Sequence, residues 1–370
     1  MKIKHVSQPP TEVSFYQSWD GPGHADIEDK LTAAHVEDVV EIFSTPLTGH
    51  YNWDYSSADD RIRKLYRLGK ELNWNAEIDV DWQQDFPKNL APLDENLNPF
   101  KGWATFEALS DEERLRFGWH NLAWMLAQFV HGEQGALLVA SQLASCAPTF
   151  DAKLYAASQT FDEARHVEVF TKYLQEKIGI FYPVNKHLKA LLDKVLTDPR
   201  WDLKFIGMQI IIEGLALAAF NTLKLTAKDP LLKDIITLVI RDEARHVTFG
   251  VNYLEDFVKT LTDEEREERA QFAYEACVVM RERLIGTDVF EHFGWDAEKA
   301  RAQVLESSIM QQFRMLLFTR IIPNLNRIGL LTDSVRPKFE SLGILQFENL
   351  LDDGEVDWAE LSKPLYEEAG

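Results

Sequence analysis

The chain is poor in cysteine and in cations, and it has no long apolar run free of polar residues. Cys146 and Cys277 are the only cysteines among 370 residues, which excludes a disulfide framework and a paired-cysteine metal site and suits a reducing cytosol. Lys and Arg number 39 against 60 Asp and Glu, a net charge of -21. That deficit excludes a surface built to neutralise phosphates, so no nucleic-acid partner is expected. Residues Met1 to Pro10 carry a little positive charge with no apolar stretch behind it and do not read as a secretory signal. The longest nearly apolar run, Ile206 to Leu223, contains Gln209 and Glu213 and lacks charged flanks. It is expected to be a core helix and not a membrane span. No nicotinamide or flavin fingerprint, no alternating strand pattern and no low-complexity linker occurs. With 45% apolar and 11% aromatic residues, the composition fits a cytoplasmic globular protein with a large core.

What is present is a repeat. Asp-Glu-Ala-Arg-His-Val occurs at Asp162 to Val167 and again at Asp242 to Val247, each copy with a glutamate 30 residues before its own, at Glu133 and Glu213. The offset of 80 residues also aligns Ala136 with Ala216, Leu137 with Leu217, Leu143 with Leu223, and Tyr173-Leu174 with Tyr253-Leu254. One helical hairpin is thus present twice.

The turns agree with this reading. Midway between Glu133 and Glu163 lies Pro148, and midway between Glu213 and Glu243 lies residue 228, beside Pro230. Two antiparallel helices folded at these points bring each glutamate level with its partner, about 20 Å from the bend at 1.5 Å per residue. Ser110-Asp111-Glu112-Glu113 supplies an N-cap and an acidic first turn, so a helix is expected from there to about Ser145, and a second from Phe150 to Ile178. A further helix is expected from Ala58 to Leu72. Thr262-Asp263-Glu264-Glu265 begins another capped segment, and the spacing predicts helices over 263–285, 297–321 and 334–342. Residues 1–58, with Pro9-Pro10 and Gly21-Pro22-Gly23, are expected to wrap over the rest. The whole chain, 1–370, is expected to be one all-helical domain: an N-terminal extension over 1–109, a core over 110–260 and a C-terminal helical extension over 261–370.

Glutamate and histidine three residues apart share one helix face and reach one ion. Glu133, Glu163, His166, Glu213, Glu243 and His246 therefore form a candidate set of four carboxylates and two imidazoles. Such a set neutralises two divalent ions and suits iron or manganese better than copper, calcium or structural zinc. Glu213 stands in Ile210-Ile211-Ile212-Glu213-Gly214-Leu215, where a buried unpaired acid would be very costly. A metal compensates it.

In these motifs the chain resembles the ferritin-like di-iron carboxylate superfamily, whose bundles carry this ligand constellation. The Asp-Glu-x-Arg-His form is most similar to oxygen-activating hydroxylases such as the catalytic subunits of bacterial multicomponent monooxygenases, and the hairpin spacing to benzoyl-CoA epoxidase. The resemblance covers roughly residues 110–260. It implies a ferritin-like four-helix bundle with additional helices at both ends. It also implies that Glu133, Glu163 and His166 hold one iron and Glu213, Glu243 and His246 the other, with some glutamates bridging and a manganese-iron pair left open. Asp162 and Asp242 would orient the histidines, and Arg165 and Arg245 would join the surrounding acids. Which histidine each aspartate meets stays open.

The same likeness implies a dioxygen-activating monooxygenase acting on a small organic substrate by hydroxylation, epoxidation or N-oxygenation. Electrons would come from a separate reductase or ferredoxin. A fatty acyl desaturase or oxidase and a ferroxidase are the alternatives, and homo-oligomerisation is left open. Phe170 and Gly250 stand where reductase small subunits place a radical tyrosine after the first motif and its counterpart, which counts against radical storage. Leu217 replaces the threonine of multicomponent monooxygenases. Gln159 and Gln209, one turn before Glu163 and Glu213, are candidate pocket residues, with satisfaction of a buried polar group as the alternative. Tyr173 and Tyr253 are expected to be core aromatics, and His131 points off the ligand face. The small residues Gly135, Ala136, Gly214 and Ala216 either leave room for substrate or let helices approach.

Overall fold

A computed structural model of the chain describes residues 4–5, 25–26, 41–45, 47–57, 59–361 and 363. The Pro9-Pro10 and Gly21-Pro22-Gly23 turns lie outside the described residues. The sequence folds into helices at almost every place where its pattern has a 3.6-residue period, and ten of them build and surround the site. They are α1 (Asp60–Glu71), α2 (Asp111–Cys146), α3 (Phe150–Tyr173), α4 (Lys186–Thr197), α5 (Trp201–Thr226), α6 (Pro230–Val258), α7 (Asp263–Glu282), α8 (Thr287–His292), α9 (Ala297–Glu306) and α10 (Ser308–Arg327).

Helices α2, α3, α6 and α7 start where a side chain takes up their free amide groups. Ser110 and Glu113 form a reciprocal capping box at α2, and Thr262 with Glu265 does the same at α7. Thr149 caps α3, while Asp229 caps α6 with Pro230 in the first turn. Helices α2 and α3 lie along one another, as do α5 and α6, and α3 packs on α6 between the hairpins. This is the expected pair of hairpins forming a four-helix bundle. Helix α1 covers α3 and α6 from one side, α4 and α7 flank α2 and α5, and α10 lies on α5.

The two caps also tie the hairpins together. Tyr173 Oη donates to Asp229 Oδ2 at 2.6 Å, and Thr149 Oγ1 donates to Tyr253 Oη at 3.1 Å. Residues 149 and 229, like 173 and 253, are 80 apart, so each hairpin's tyrosine bonds the other hairpin's N-cap. Both tyrosines are structural, as expected.

Three details depart from the sequence pattern. The segment 297–321 is not one helix: Ser307 is extended (φ -62°, ψ 126°), ending α9 and starting α10, which then runs on through Pro323 to Arg327. Helix α4 (Lys186–Thr197) was not expected. Two-residue strands pair Lys4–His5 with Glu41–Ile42 and Ala25–Asp26 with Ile180–Phe181, too short for any alternation to be legible.

Among the described residues, helix α5 is the one helix long and apolar enough to cross a membrane, and its apolar window is wholly buried inside the protein. It is the central helix of the core. Its middle, Phe205–Ile212, is wound as a π-helix, with Glu213 N–H donating to Met208 O five residues back. The corresponding part of α2 is regular α-helix. A π turn widens the helix and re-aims the side chains that follow it, and Glu213 is the next residue.

Candidate metal centre

All six expected ligands are buried at the middle of the bundle, each no more than 4% exposed. Donor atoms of Glu133, Glu163, His166 and Glu243 lie within 4.8 Å of one another, and so do those of Glu163, Glu213, Glu243 and His246. Glu163 and Glu243 belong to both groups. The two clusters are therefore fused through one glutamate from each motif, while Glu133 and Glu213 stand at the outer ends.

The histidines point Nδ1 inward. His166 Nδ1 lies 3.3 Å from Glu133, 3.2 Å from Glu163 and 3.1 Å from Glu243, and His246 Nδ1 lies 3.0 Å from Glu163 and 3.9 Å from Glu213. Each Nε2 meets the aspartate of the other motif, His166 with Asp242 at 3.1 Å and His246 with Asp162 at 3.3 Å. The arginines cross in the same way. Arg165 Nη2 donates to Asp162 at 2.6 Å and to Asp242 at 3.0 Å, and Arg245 Nη2 donates to Asp242 at 2.6 Å and to Asp162 at 3.0 Å. The four residues form a closed, wholly buried ring of two acids and two bases behind the histidines. Trp74 adds a donor, its Nε1 reaching Asp242 Oδ2 at 2.8 Å.

Electrostatics show a site built for cations. Burial, then the charge of Glu243, pushes the Glu133 and Glu213 carboxyls well above the usual range. Burial would neutralise His166, yet hydrogen bonds to Asp242 and the surrounding glutamates outweigh it and raise its pKa well above the ordinary value. His246 is raised likewise, chiefly by Glu163 against burial. Without a metal, protons held on the histidines and outer glutamates are what offset the clustered negative charge.

The donor set fits a pair of divalent ions. Glu163 Oε2, both oxygens of Glu243 and Nδ1 of His246 are buried without a hydrogen-bond partner, in a fold whose buried polar atoms are otherwise mostly paired. Four carboxylates carry the charge that two divalent ions cancel, and oxygen with imidazole nitrogen is the donor chemistry of iron and manganese. Asp242 and Asp162 accept from Nε2, so Nδ1 is the nitrogen that would give up its proton and turn a lone pair to a bound ion.

Gln159 and Gln209 face the carboxylates and each other. Gln159 Nε2 donates to Glu163 at 3.0 Å and to Glu213 at 3.1 Å, and Gln209 Nε2 donates to Gln159 Oε1 at 2.9 Å. Their amide groups satisfy the buried acids, and neither residue lines the cavity of about 890 Å³ that adjoins α2 and α5. His131 Nε2 meets Tyr182 O at 2.9 Å, away from the centre. A Cβ on Gly135 would stand 2.3 Å from Leu192, so close helix packing explains that glycine. Trp74 was missed because nothing near it repeats or has ligand spacing; its role arises only when α1's end is laid over α6.

A family model described as p-aminobenzoate N-oxygenase AurF matches residues 55–329. The chain belongs to the AurF family. Its members are ferritin-like oxygenases, the superfamily expected from the ligand motifs, and the chain is a non-haem di-metal oxidoreductase that activates dioxygen toward an organic substrate. Among solved structures, an R2-like ligand-binding oxidase with aerobically reconstituted Mn/Fe cofactor is 20% identical. The match covers 77% of this AurF-family chain and 99% of the oxidase, with a TM-score of 0.50, and shows a shared fold. A single-substitution variant of that oxidase, also with aerobically reconstituted Mn/Fe cofactor, is 21% identical over 74% of this chain and 95% of the other, TM-score 0.48. Comparison with curated proteins gives no match.

Proposed function

We propose that Glu133, Glu163, His166, Glu213, Glu243 and His246 hold two iron ions, with Glu163 and Glu243 shared between them, and that the enzyme oxygenates the nitrogen of an organic amine. The fused geometry of the two buried clusters carries the ligand assignment. The family description, an aminobenzoate N-oxygenase, favours nitrogen over carbon as the site of oxygenation. A manganese-iron pair fits the same donors. When bound, the metals supply a site for dioxygen and the electrons that begin its reduction.

The chain's own groups prepare that chemistry. Asp162 and Asp242 hold the Nε2 protons of His246 and His166, fixing the tautomer that leaves Nδ1 for metal. Arg165 and Arg245 each ion-pair with both aspartates in a dry interior. Gln159 holds Glu163 and Glu213 in place. Phe129, Phe170 and Phe220, mutually packed and almost wholly buried, exclude water from the bundle interior next to the glutamates.

Overall, amine, dioxygen, two electrons and two protons give hydroxylamine and water. Each turnover consumes two electrons, which a separate reductase or ferredoxin would return. The chain is read as a cytoplasmic enzyme; its two cysteines are buried and unpaired.

The test is anaerobic iron titration with Mössbauer spectroscopy before and after one pulse of labelled dioxygen, in the presence of an aromatic amine. Two irons per chain, a coupled oxidised pair after the pulse and one labelled oxygen on nitrogen are expected. Label on carbon would replace N-oxygenation by hydroxylation, and continued iron uptake into a mineral would replace both by ferroxidase activity.

A further inference from the structure

Beside the metal centre lies a cavity of about 890 Å³, bounded by α2 and α5 on one side and by α8 and α10 on the other. Its lining includes Phe129, one turn before Glu133, and Leu215, two residues after Glu213. Phe100, Phe117, Trp124 and Phe313 make much of the remaining wall apolar and aromatic. Into this wall, at the C-cap of α7, is set Arg283.

Arg283 is only 7% exposed, and its Nη1 has no hydrogen-bond partner. Arg114, on the same wall, is ion-paired with Glu107. Burial pushes the Arg283 guanidinium down to about 10, with the charge of Glu133 opposing, so it stays protonated at neutral pH. A buried cation without a counter-charge is costly. Glu133 does not relieve that cost in the working protein, because two divalent ions would take up the charge of the four carboxylates. The planar fork of an arginine matches a carboxylate with two parallel hydrogen bonds.

We propose that this cavity is the substrate site, that the substrate is an organic acid with an extended apolar body, and that Arg283 binds its carboxylate. The inference rests on the adjacent cluster being the oxygen-activating centre. The size supports an extended body: the cavity is near the top of the roughly 300–1,000 Å³ span of small-molecule pockets, several times the room a single ring fills. The other charged residues on the lining, Asp94, Glu95, Lys101, Glu107 and Arg114, are exposed or half-buried, and Arg283 is the buried one; a ligand with its acid at Arg283 lays its body along the aromatic wall.

The test uses iron-loaded, oxygen-free protein titrated calorimetrically with 4′-aminobiphenyl-4-carboxylate and with uncharged 4-aminobiphenyl. Wild type is expected to bind the acid at least tenfold more tightly. Arg283→Met is expected to bind the two alike and to melt at a higher temperature, since an unpaired buried charge is gone; a purely structural arginine would leave the variant less stable. Should that variant fail to fold, Arg283→Lys decides, a reduced preference for the acid supporting the assignment and an unchanged one overturning it. An acid preference that survives Arg283→Met, or is absent from wild type, also overturns it. N-oxygenation is scored separately on both amines with labelled dioxygen. Product from both amines without any acid preference sinks the Arg283 assignment alone. An acid preference without N-oxygenated product from either amine upholds Arg283 and sinks the N-oxygenase reading.

Discussion

Trp74 Nε1 donates to the same Asp242 oxygen, Oδ2, that receives His166 Nε2, at 2.8 Å and 3.1 Å. The indole also stacks on the His166 ring, with centroids 6.4 Å apart. A residue three positions beyond α1 thereby positions a histidine of the first motif through an aspartate of the second. Trp74→Phe keeps the ring packing and removes the donor. It is expected to cost about 1–3 kcal/mol of stability and to weaken one of the two irons about tenfold, read by denaturation and by competition with a chelator. Unchanged iron affinity would reduce Trp74 to packing alone.

The crossed pairing of Asp242 with His166 and Asp162 with His246 makes a prediction that inverts the sequence order. Glu213→Ala should leave a helical protein that binds one iron, at the Glu133 and His166 end. In that background Asp242→Asn is expected to weaken the remaining iron tenfold or more, and Asp162→Asn much less. Titration of iron per chain with far-ultraviolet circular dichroism checks both statements. Two tightly held irons in Glu213→Ala would overturn the ligand assignment, and the reverse ranking of the two aspartates would overturn the crossing.

Gly250 lets two ligand helices touch. A Cβ there would stand 2.5 Å from Gln209 Cβ, in the π-wound part of α5. Gly250→Ala is expected to destabilise the protein by about 1–3 kcal/mol through overpacking, against a gain in helix propensity of up to about 1 kcal/mol. Because the contact lies one turn before Glu213, iron stoichiometry should fall along with the denaturation midpoint. A midpoint equal to wild type would show that α5 and α6 separate freely there.

Acid should loosen the turn between α4 and α5. Burial pushes the Asp198 carboxyl up, but Arg200, through Nε at 3.0 Å and Nη2 at 2.9 Å, its own amide and Lys194 hold it at about 2. The unfolded chain titrates near 3.8, so between these values it binds more protons than the folded one, and stability rises with pH. The contribution is complete above about pH 4 and is lost as pH falls toward 2. Asp198→Asn should lower the melting temperature at pH 6 and converge on wild type near pH 2. A gap that does not narrow would mean that Asp198 acts through packing and not through its charge.

The ligand set was legible because its logic is local. Glu163 and His166 share a helix face whatever surrounds them, and Pro148 with Pro230 marks where each hairpin turns. Arg283 was not legible: in Arg281-Glu282-Arg283 it has the look of a solvated surface charge, and only the tertiary structure buries it in a cavity wall. The break at Ser307 was hidden for a related reason, since apolar periodicity continues across it.

The amino-acid sequence by itself determined the repeat, the four-helix core and the six residues that converge, because i to i+3 spacing and hairpin length are short-range geometry that every copy of the chain must obey. The tertiary structure alone decided which aspartate meets which histidine, that Trp74 donates to the ring, that Glu213 is aimed by a π turn, and that Arg283 stands without an ion pair in an aromatic cavity. Those are contacts between elements far apart in the chain, set by how two nearly identical hairpins pack face to face, and packing angle and helix register are properties of the assembled core.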